Sequence, residues 1–145
     1  SALLYGLEAG KYRLALKTPK DQIINIEYTR DKSKKKAAYK KSKAINLKSD
    51  IDSIYTSTEK AARWYKASVS STKKRKAVTL SKDSVGGGFK FCIYQKGKRL
   101  KTVKVTKNDK VKTVKLPKKK GAYYVKVTKL TSKTTGAYYL GTYTY

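Results

Sequence analysis

In the run Gly121-Ala122-Tyr123-Tyr124-Val125-Lys126-Val127-Thr128, Tyr123, Val125 and Val127 share one parity, and Tyr124, Lys126 and Thr128 hold the other. A period of two places alternate side chains on opposite faces of a strand and gives a helix no apolar stripe. Similar alternation, rich in Val, Thr, Tyr and Lys, recurs in short runs bounded by Gly, Pro, Asn-Asp or Ser/Thr clusters. It predicts strands over residues 10–17, 22–30, 63–70, 76–81, 88–95, 100–106, 110–116, 121–129 and 136–145. About nine short strands at roughly 8–12-residue spacing point to an all-β chain, an antiparallel sandwich or jelly roll. Residues 49–62 are ambiguous: a strand or loop around 51–56, or a turn over 59–62 capped by Ser57 or Thr58.

Parity also assigns a core. Phe89, Phe91 and Ile93 form one apolar set, and Tyr123, Val125 and Val127 form another. Tyr138 and Leu140, Val103 and Val105, Val114 and Leu116, and Trp64 with Val78 and Leu80 are expected to join them. The opposite parity mixes Lys, Thr and Tyr.

Three segments follow from this reading. Residues 1–31 are expected to form a β-hairpin turning at Thr18-Pro19-Lys20-Asp21, residues 32–43 a basic connector with little to bury, and residues 44–145 the sandwich. The pattern Gly10-Lys11-Tyr12-Arg13-Leu14-Ala15-Leu16 echoes Gly121-Ala122-Tyr123-Tyr124-Val125-Lys126-Val127. The hairpin therefore reads as the closing piece of a preceding repeat, or as a piece packed on the main domain.

The charge narrows function. Lys and Arg total 37 against 9 Asp and Glu, a formal net charge of +28. Such a surface attracts polyanions without saying which. Only five of the 37 are Arg (Arg13, Arg30, Arg63, Arg75 and Arg99), leaving 32 Lys by subtraction. Base readout leans on the planar Arg fork, whereas Lys gives diffuse, salt-sensitive attraction, so a nucleic-acid partner is disfavoured. Part of the lysine complement is expected simply to guard sheet edges. With no His, the chain has no His base, His triad or His metal ligand. With one Cys, Cys92, it has no internal disulfide, and that thiol reads as a packed strand residue. No catalytic residue, metal site or cofactor is assigned. The glycines of Val85-Gly86-Gly87-Gly88 lack the following Gly-Lys-Ser/Thr of a phosphate loop and lead into a strand, so they read as a loop or bulge. No segment approaches the roughly 20 apolar residues that span a bilayer. The opening Ser1-Ala2-Leu3-Leu4 is not expected to be a signal peptide.

The candidate ligand-binding residues are Tyr124, Lys126, Tyr139, Tyr143 and Tyr145, with Lys118, Lys119 and Lys120 in a turn. If 121–129 and 136–145 form a hairpin, the first five lie on adjacent strands. Tyr supplies rigid amphipathic contact and Lys supplies reach. The alternative is that the N-terminal hairpin covers these tyrosines. Lys34-Lys35-Lys36, Lys73-Lys74-Arg75-Lys76 and the lysines at 98, 101, 104, 107 and 110 are further basic patches. Recurrence at every third residue does not hold to one strand face, so the last set reads as a solvated rim.

Three motifs carry a resemblance. Arg63-Trp64-Tyr65-Lys66-Ala67-Ser68-Val69, Gly121-Ala122-Tyr123-Tyr124-Val125-Lys126-Val127 and Thr135-Gly136-Ala137-Tyr138-Tyr139-Leu140 resemble, in order, three strands of the bacterial pre-peptidase C-terminal domain. The resemblance spans about residues 44–145. It implies a β-sandwich and a non-catalytic accessory module of a secreted or surface protein, joined to neighbouring domains. Acids that usually precede the Trp-Tyr pair in that family are missing. Asp50, Asp52 and Glu59 are the only local acids, so a calcium site with its about six oxygen ligands would have to draw on backbone carbonyls as well; otherwise these acids sit in a loop and offset lysine charge. The expected function is an extracellular, cell-surface binding module that attracts an anionic wall polymer or acidic glycan, or a host matrix protein. A purely structural spacer and a non-specific nucleic-acid binder are the alternatives.

Overall fold

The computed structural model describes residues 11–13, 15–17, 20–21, 23–26, 37–47, 51–55 and 61–145, with the backbone alone at 51–55, 83–86 and 135. Nine strands are present among them: β1 (Ile45–Asn46), β2 (Ile51–Tyr55), β3 (Arg63–Val69), β4 (Lys76–Gly86), β5 (Phe89–Gln95), β6 (Lys98–Val105), β7 (Val111–Lys115), β8 (Gly121–Lys129) and β9 (Thr135–Thr144). They build two sheets, ordered β1-β3-β8-β5-β6 and β2-β9-β4-β7. The fold is an all-β sandwich, as the alternation predicts. Every pairing is antiparallel except β1 with β3, which is parallel. The two-residue β1 has no counterpart in the sequence expectation.

The core lies between the sheets, where the predicted parity places it. Tyr65, Tyr123, Tyr138, Phe89, Phe91, Leu80, Ile93, Leu140, Val78, Val105 and Val125 are all fully buried. Burying one such large side chain stabilises by about 1.5–3 kcal/mol before the entropy of ordering it is counted. Val103 packs at the margin of this cluster. Trp64 is a correction: it stands on the opposite parity from buried Tyr65, Ala67 and Val69 and is half-buried on the outer face. The inward positions of β3 belong to Tyr65, Ala67 and Val69, so Lys66 and Ser68 share the outward side with Trp64.

The β4–β5 connection is packed tightly. A Cβ on Gly88 would collide with the carbonyl oxygen of Val105 and come within 3.0 Å of the Thr106 Cα. Gly87 has φ +92°, and a Cβ there would come within 2.5 Å of Thr134 Oγ1. These glycines permit close backbone approach at a strand crossing, consistent with the bulge between Asp83 and Gly86.

The expected strands at 10–17 and 22–30 are not present where the chain is described. Residues 11–13, 15–17 and 23–26 lie in no strand and are exposed, although Lys20 and Asp21 do form a turn. The rest of the N-terminal hairpin, Lys34-Lys35-Lys36 and residues 57–60 of the capped turn considered over 59–62 fall outside the described residues, as do the side chains of Asp50, Asp52 and Glu59. Residues 37–43 do more than connect. Ala38 is buried, its carbonyl accepts from the Trp64 N–H at 2.8 Å, and a 3-10 turn at Lys41–Lys43 follows. Among the described residues, no helix is long and apolar enough to cross a membrane.

Candidate functional site

Strand register decides which candidate residues meet. β8 lies between β3 and β5, whereas β9 lies between β2 and β4 in the other sheet. The expected hairpin of 121–129 with 136–145 therefore does not form. Tyr124 and Lys126 stand on the outer face of the five-stranded sheet, and Tyr139 and Tyr143 on the outer face of the four-stranded one, with Tyr145 just beyond β9. The reason is topological: the β8–β9 connection crosses from one sheet to the other, so equal parity no longer means a shared surface. Tyr139, Tyr143 and Tyr145 are 39%, 48% and 46% exposed, so none of the three is core.

The lysine turns converge instead. Val69 pairs with Gly121, Gln95 with Lys98, and Ala77 with both Lys115 and Tyr143. These registers bring the β3–β4, β5–β6 and β7–β8 turns to one end of the sandwich. That end carries Lys73, Lys74, Arg75, Lys96, Lys118, Lys119 and Lys120, all exposed, and none of the three turns contains Asp or Glu. The backbone holds it firmly. Arg75 and Tyr145 exchange N–H···O bonds of 3.0 and 2.9 Å, and the Leu116 N–H donates to the Lys76 carbonyl at 2.8 Å. The Tyr123 hydroxyl reaches from the core edge to donate to the Lys119 carbonyl at 2.9 Å. The β5–β6 turn takes φ +47° at Lys96 and +80° at Gly97, as a two-residue hairpin loop requires.

Tyr143 and Tyr145 border this basic end, their ring centroids 5.8 Å apart, with the Lys115 ammonium 5.4 Å from the Tyr145 ring. A groove of about 540 Å³ opens beside them, lined in part by Asn46, Lys66, Ser68, Lys76, Thr142 and Tyr143. Within it the Lys76 ammonium donates to the Ser68 carbonyl at 2.6 Å. Of the lysines recurring at every third residue, Lys98, Lys101 and Lys104 lie on β6, an edge strand, and Lys107 and Lys110 in the β6–β7 turn, while Lys112 and Lys115 lie on β7, the edge of the other sheet. Charged side chains there oppose edge-to-edge association.

The opposite end is less one-sided. In the β6–β7 turn, Asp109 accepts from the Thr106 hydroxyl at 2.7 Å and from its N–H at 2.9 Å, and pairs with Lys112 at 2.7 Å. The hydrogen bond from Lys112, followed by those from Thr106, holds its carboxyl well below the usual carboxylate range. Cys92 is a buried free thiol with its Sγ 3.3 Å from Thr102 Oγ1. Among the described residues, no group of three or more Cys, Asp or Glu is placed to hold a metal ion.

Sequence reasoning missed Trp64, Tyr94, Lys66 and Lys41, which surround Tyr124 and Lys126. The Trp64 and Tyr94 rings lie 5.6 Å apart, the Lys126 ammonium 5.5 Å from the Trp64 ring, and the Lys41 ammonium 4.7 Å from the Tyr124 ring. The signal was available: in Trp64-Tyr65-Lys66-Ala67-Ser68-Val69 the lysine and serine mark the outward parity, and Trp64 shares it.

No family model matches the chain, and no curated protein does. Among solved structures, the fold is similar to the pre-peptidase C-terminal domain of collagenase from Bacillus anthracis, with a TM-score of 0.49 and 18% identity, covering 69% of this chain and 92% of that one.

Proposed function

We propose that the chain is a non-catalytic binding module that captures an anionic polymer, a wall polymer or acidic glycan, at its basic end. The observation that carries this reading is the convergence of Lys73, Lys74, Arg75, Lys96 and Lys118–Lys120, distant in sequence, on three neighbouring turns without an acid. Clustered like charge concentrates counter-ions and speeds encounter with a polyanion over about a Debye length, ~8 Å at physiological salt. Tyr143 and Tyr145 add rigid contact at the border of the patch. The predominance of Lys over Arg favours a flexible, phosphate- or carboxylate-bearing polymer over base readout. The sequence resemblance to an accessory domain of secreted proteins supports an extracellular setting.

The test is retention of the full chain on teichoic-acid-bearing wall, an acidic glycan and duplex DNA, at about 150 mM and about 500 mM salt. Preference for wall polymer or glycan over DNA at the lower salt supports the reading. Equal retention on all three, lost together at the higher salt, overturns it in favour of non-specific attraction. No retention on any of them leaves a spacer.

A further inference from the structure

The outer face of the five-stranded sheet is built differently from the basic end. Trp64 on β3 and Tyr94 on β5 reach toward each other over β8 to a ring separation of 5.6 Å, and Tyr124 of β8 stands opposite both Tyr94 and Lys66 in the register. All three rings are half-buried, which fixes their orientation and leaves part of each to solvent. Two ammonium groups sit against them: Lys126 at 5.5 Å from Trp64 and Lys41 at 4.7 Å from Tyr124. Strands β3, β5, β6 and β8 contain no Asp or Glu at all. The strands of this face therefore join flat rings to positive charge that no acid of their own offsets, and the charge complement is an anion that itself carries a ring.

We propose that this face is a stacking site for acidic pyranose units, the uronate residues of an acidic glycan. This deepens the polyanion reading and rests on it, because it selects one ligand among the anionic polymers. A uronate bears its carboxylate directly on the sugar ring, so one unit packed against the exposed part of an aromatic ring brings its carboxylate within reach of the ammonium that lies over that ring. A poly(glycerol phosphate) chain has charge but no ring to stack. In a nucleotide the sugar separates phosphate from base, so the charge stands further from the stacking ring than the carboxylate of a uronate does, a poorer match to ring–ammonium pairs about 5 Å across. Tyr and Trp present such surfaces at low entropic cost.

Trp64 is the only tryptophan of the chain, so its emission reports this face alone. The experiment titrates the full chain with an oligogalacturonate, with inorganic polyphosphate as charge without rings, and with an oligothymidylate as charge with aromatic bases. Oligogalacturonate is expected to change Trp64 emission saturably, and Tyr94→Ala is expected to weaken it about 10-fold. Lys126→Gln, a surface change that spares the core, is expected to weaken it less and to flatten its salt dependence. Polyphosphate is expected to bind without moving the emission. Oligogalacturonate binding with silent Trp64 emission, unaffected by Tyr94→Ala or Lys126→Gln, overturns the stacking site while leaving the basic-end reading intact. Tighter saturation by oligothymidylate overturns it in favour of single-stranded nucleic acid. Failure of all three probes to bind removes both readings.

Discussion

The hydroxyls of Tyr65 and Tyr138 meet at 2.5 Å in the middle of the sandwich, one from each sheet. Both residues are fully buried, and their rings cross nearly edge-to-face, 6.4 Å apart at 82°. Phe89 closes the cluster from β5, its ring 4.9 Å from that of Tyr138. This polar contact inside an apolar layer fixes how the two sheets align, because a shift of either sheet would break it. Tyr65→Phe or Tyr138→Phe is expected to cost about 1 kcal/mol each. The double variant is expected to cost clearly less than the sum, since both changes remove the same hydrogen bond. Chemical denaturation of the four proteins measures the coupling; strict additivity would show that the two hydroxyls do not interact.

Gly88 sets a second limit on the core. The strand crossing leaves no room for a side chain, because Val105 and Thr106 backbone atoms already occupy the position of a Cβ, and Leu130 donates from its N–H to the Gly88 carbonyl at 2.9 Å. Gly88→Ala must push β5 away from β6 and is expected to destabilise by about 1–3 kcal/mol. Gly97→Ala is the contrast: its Cβ meets nothing within 4 Å, and only its φ of +80° resists substitution. Its expected cost is smaller, about 1 kcal/mol. Comparable melting-temperature losses for the two variants would contradict the packing argument.

The basic end makes a quantitative prediction about salt. Replacing Lys118, Lys119 and Lys120 together by Gln removes three charges from an exposed turn whose backbone is held by Tyr123 and Pro117. Melting temperature is expected to change little. Affinity for a wall polymer is expected to fall, and the slope of log affinity against log salt to become shallower by about two to three, one counter-ion per lost contact. Replacing Lys101 and Lys104 on the β6 edge is expected to leave that slope nearly unchanged and to promote self-association. A slope change of the same size for both variants would mean that the charge acts diffusely.

Much of the fold is legible in the alternation. The strands at 121–129 and 89–95 and the inward sets Phe89-Phe91-Ile93 and Tyr123-Val125-Val127 follow from parity alone, because one buried face forces period two. Trp64 is misplaced when its large aromatic size is weighed above the parity of Lys66 and Ser68 beside it. The candidate face is misassembled for another reason. Tyr124 and Tyr139 have equal local patterns, but the choice between pairing β8 with β9 and sending β9 to the other sheet is made by contacts distant in sequence, such as Tyr65 with Val125 and Leu80 with Leu140. Local alternation carries no record of that choice. The short parallel β1 is equally silent, since two residues cannot display a period.

The Asp109 turn gives a prediction that depends on pH. Its carboxylate joins the Thr106 hydroxyl and N–H to the Lys112 ammonium and so closes the β6–β7 connection. Those partners lower the folded-state value below the ordinary one, so the ionised carboxylate favours the folded chain. The contribution is fully present above the ordinary carboxylate value of about 3.9 and is lost as pH falls through the lower folded one. Asp109→Asn is therefore expected to lower the melting temperature by a nearly constant amount from about pH 5 to about pH 8, with the gap closing in strong acid. Thr106→Val, which removes the hydroxyl donor but keeps the N–H, is expected to show the same pH course at smaller amplitude. Thermal melts of the three proteins from about pH 8 down into strong acid check it; a gap that persists unchanged at the acid limit would mean that the introduced amide disturbs the turn through its shape, and not through lost charge.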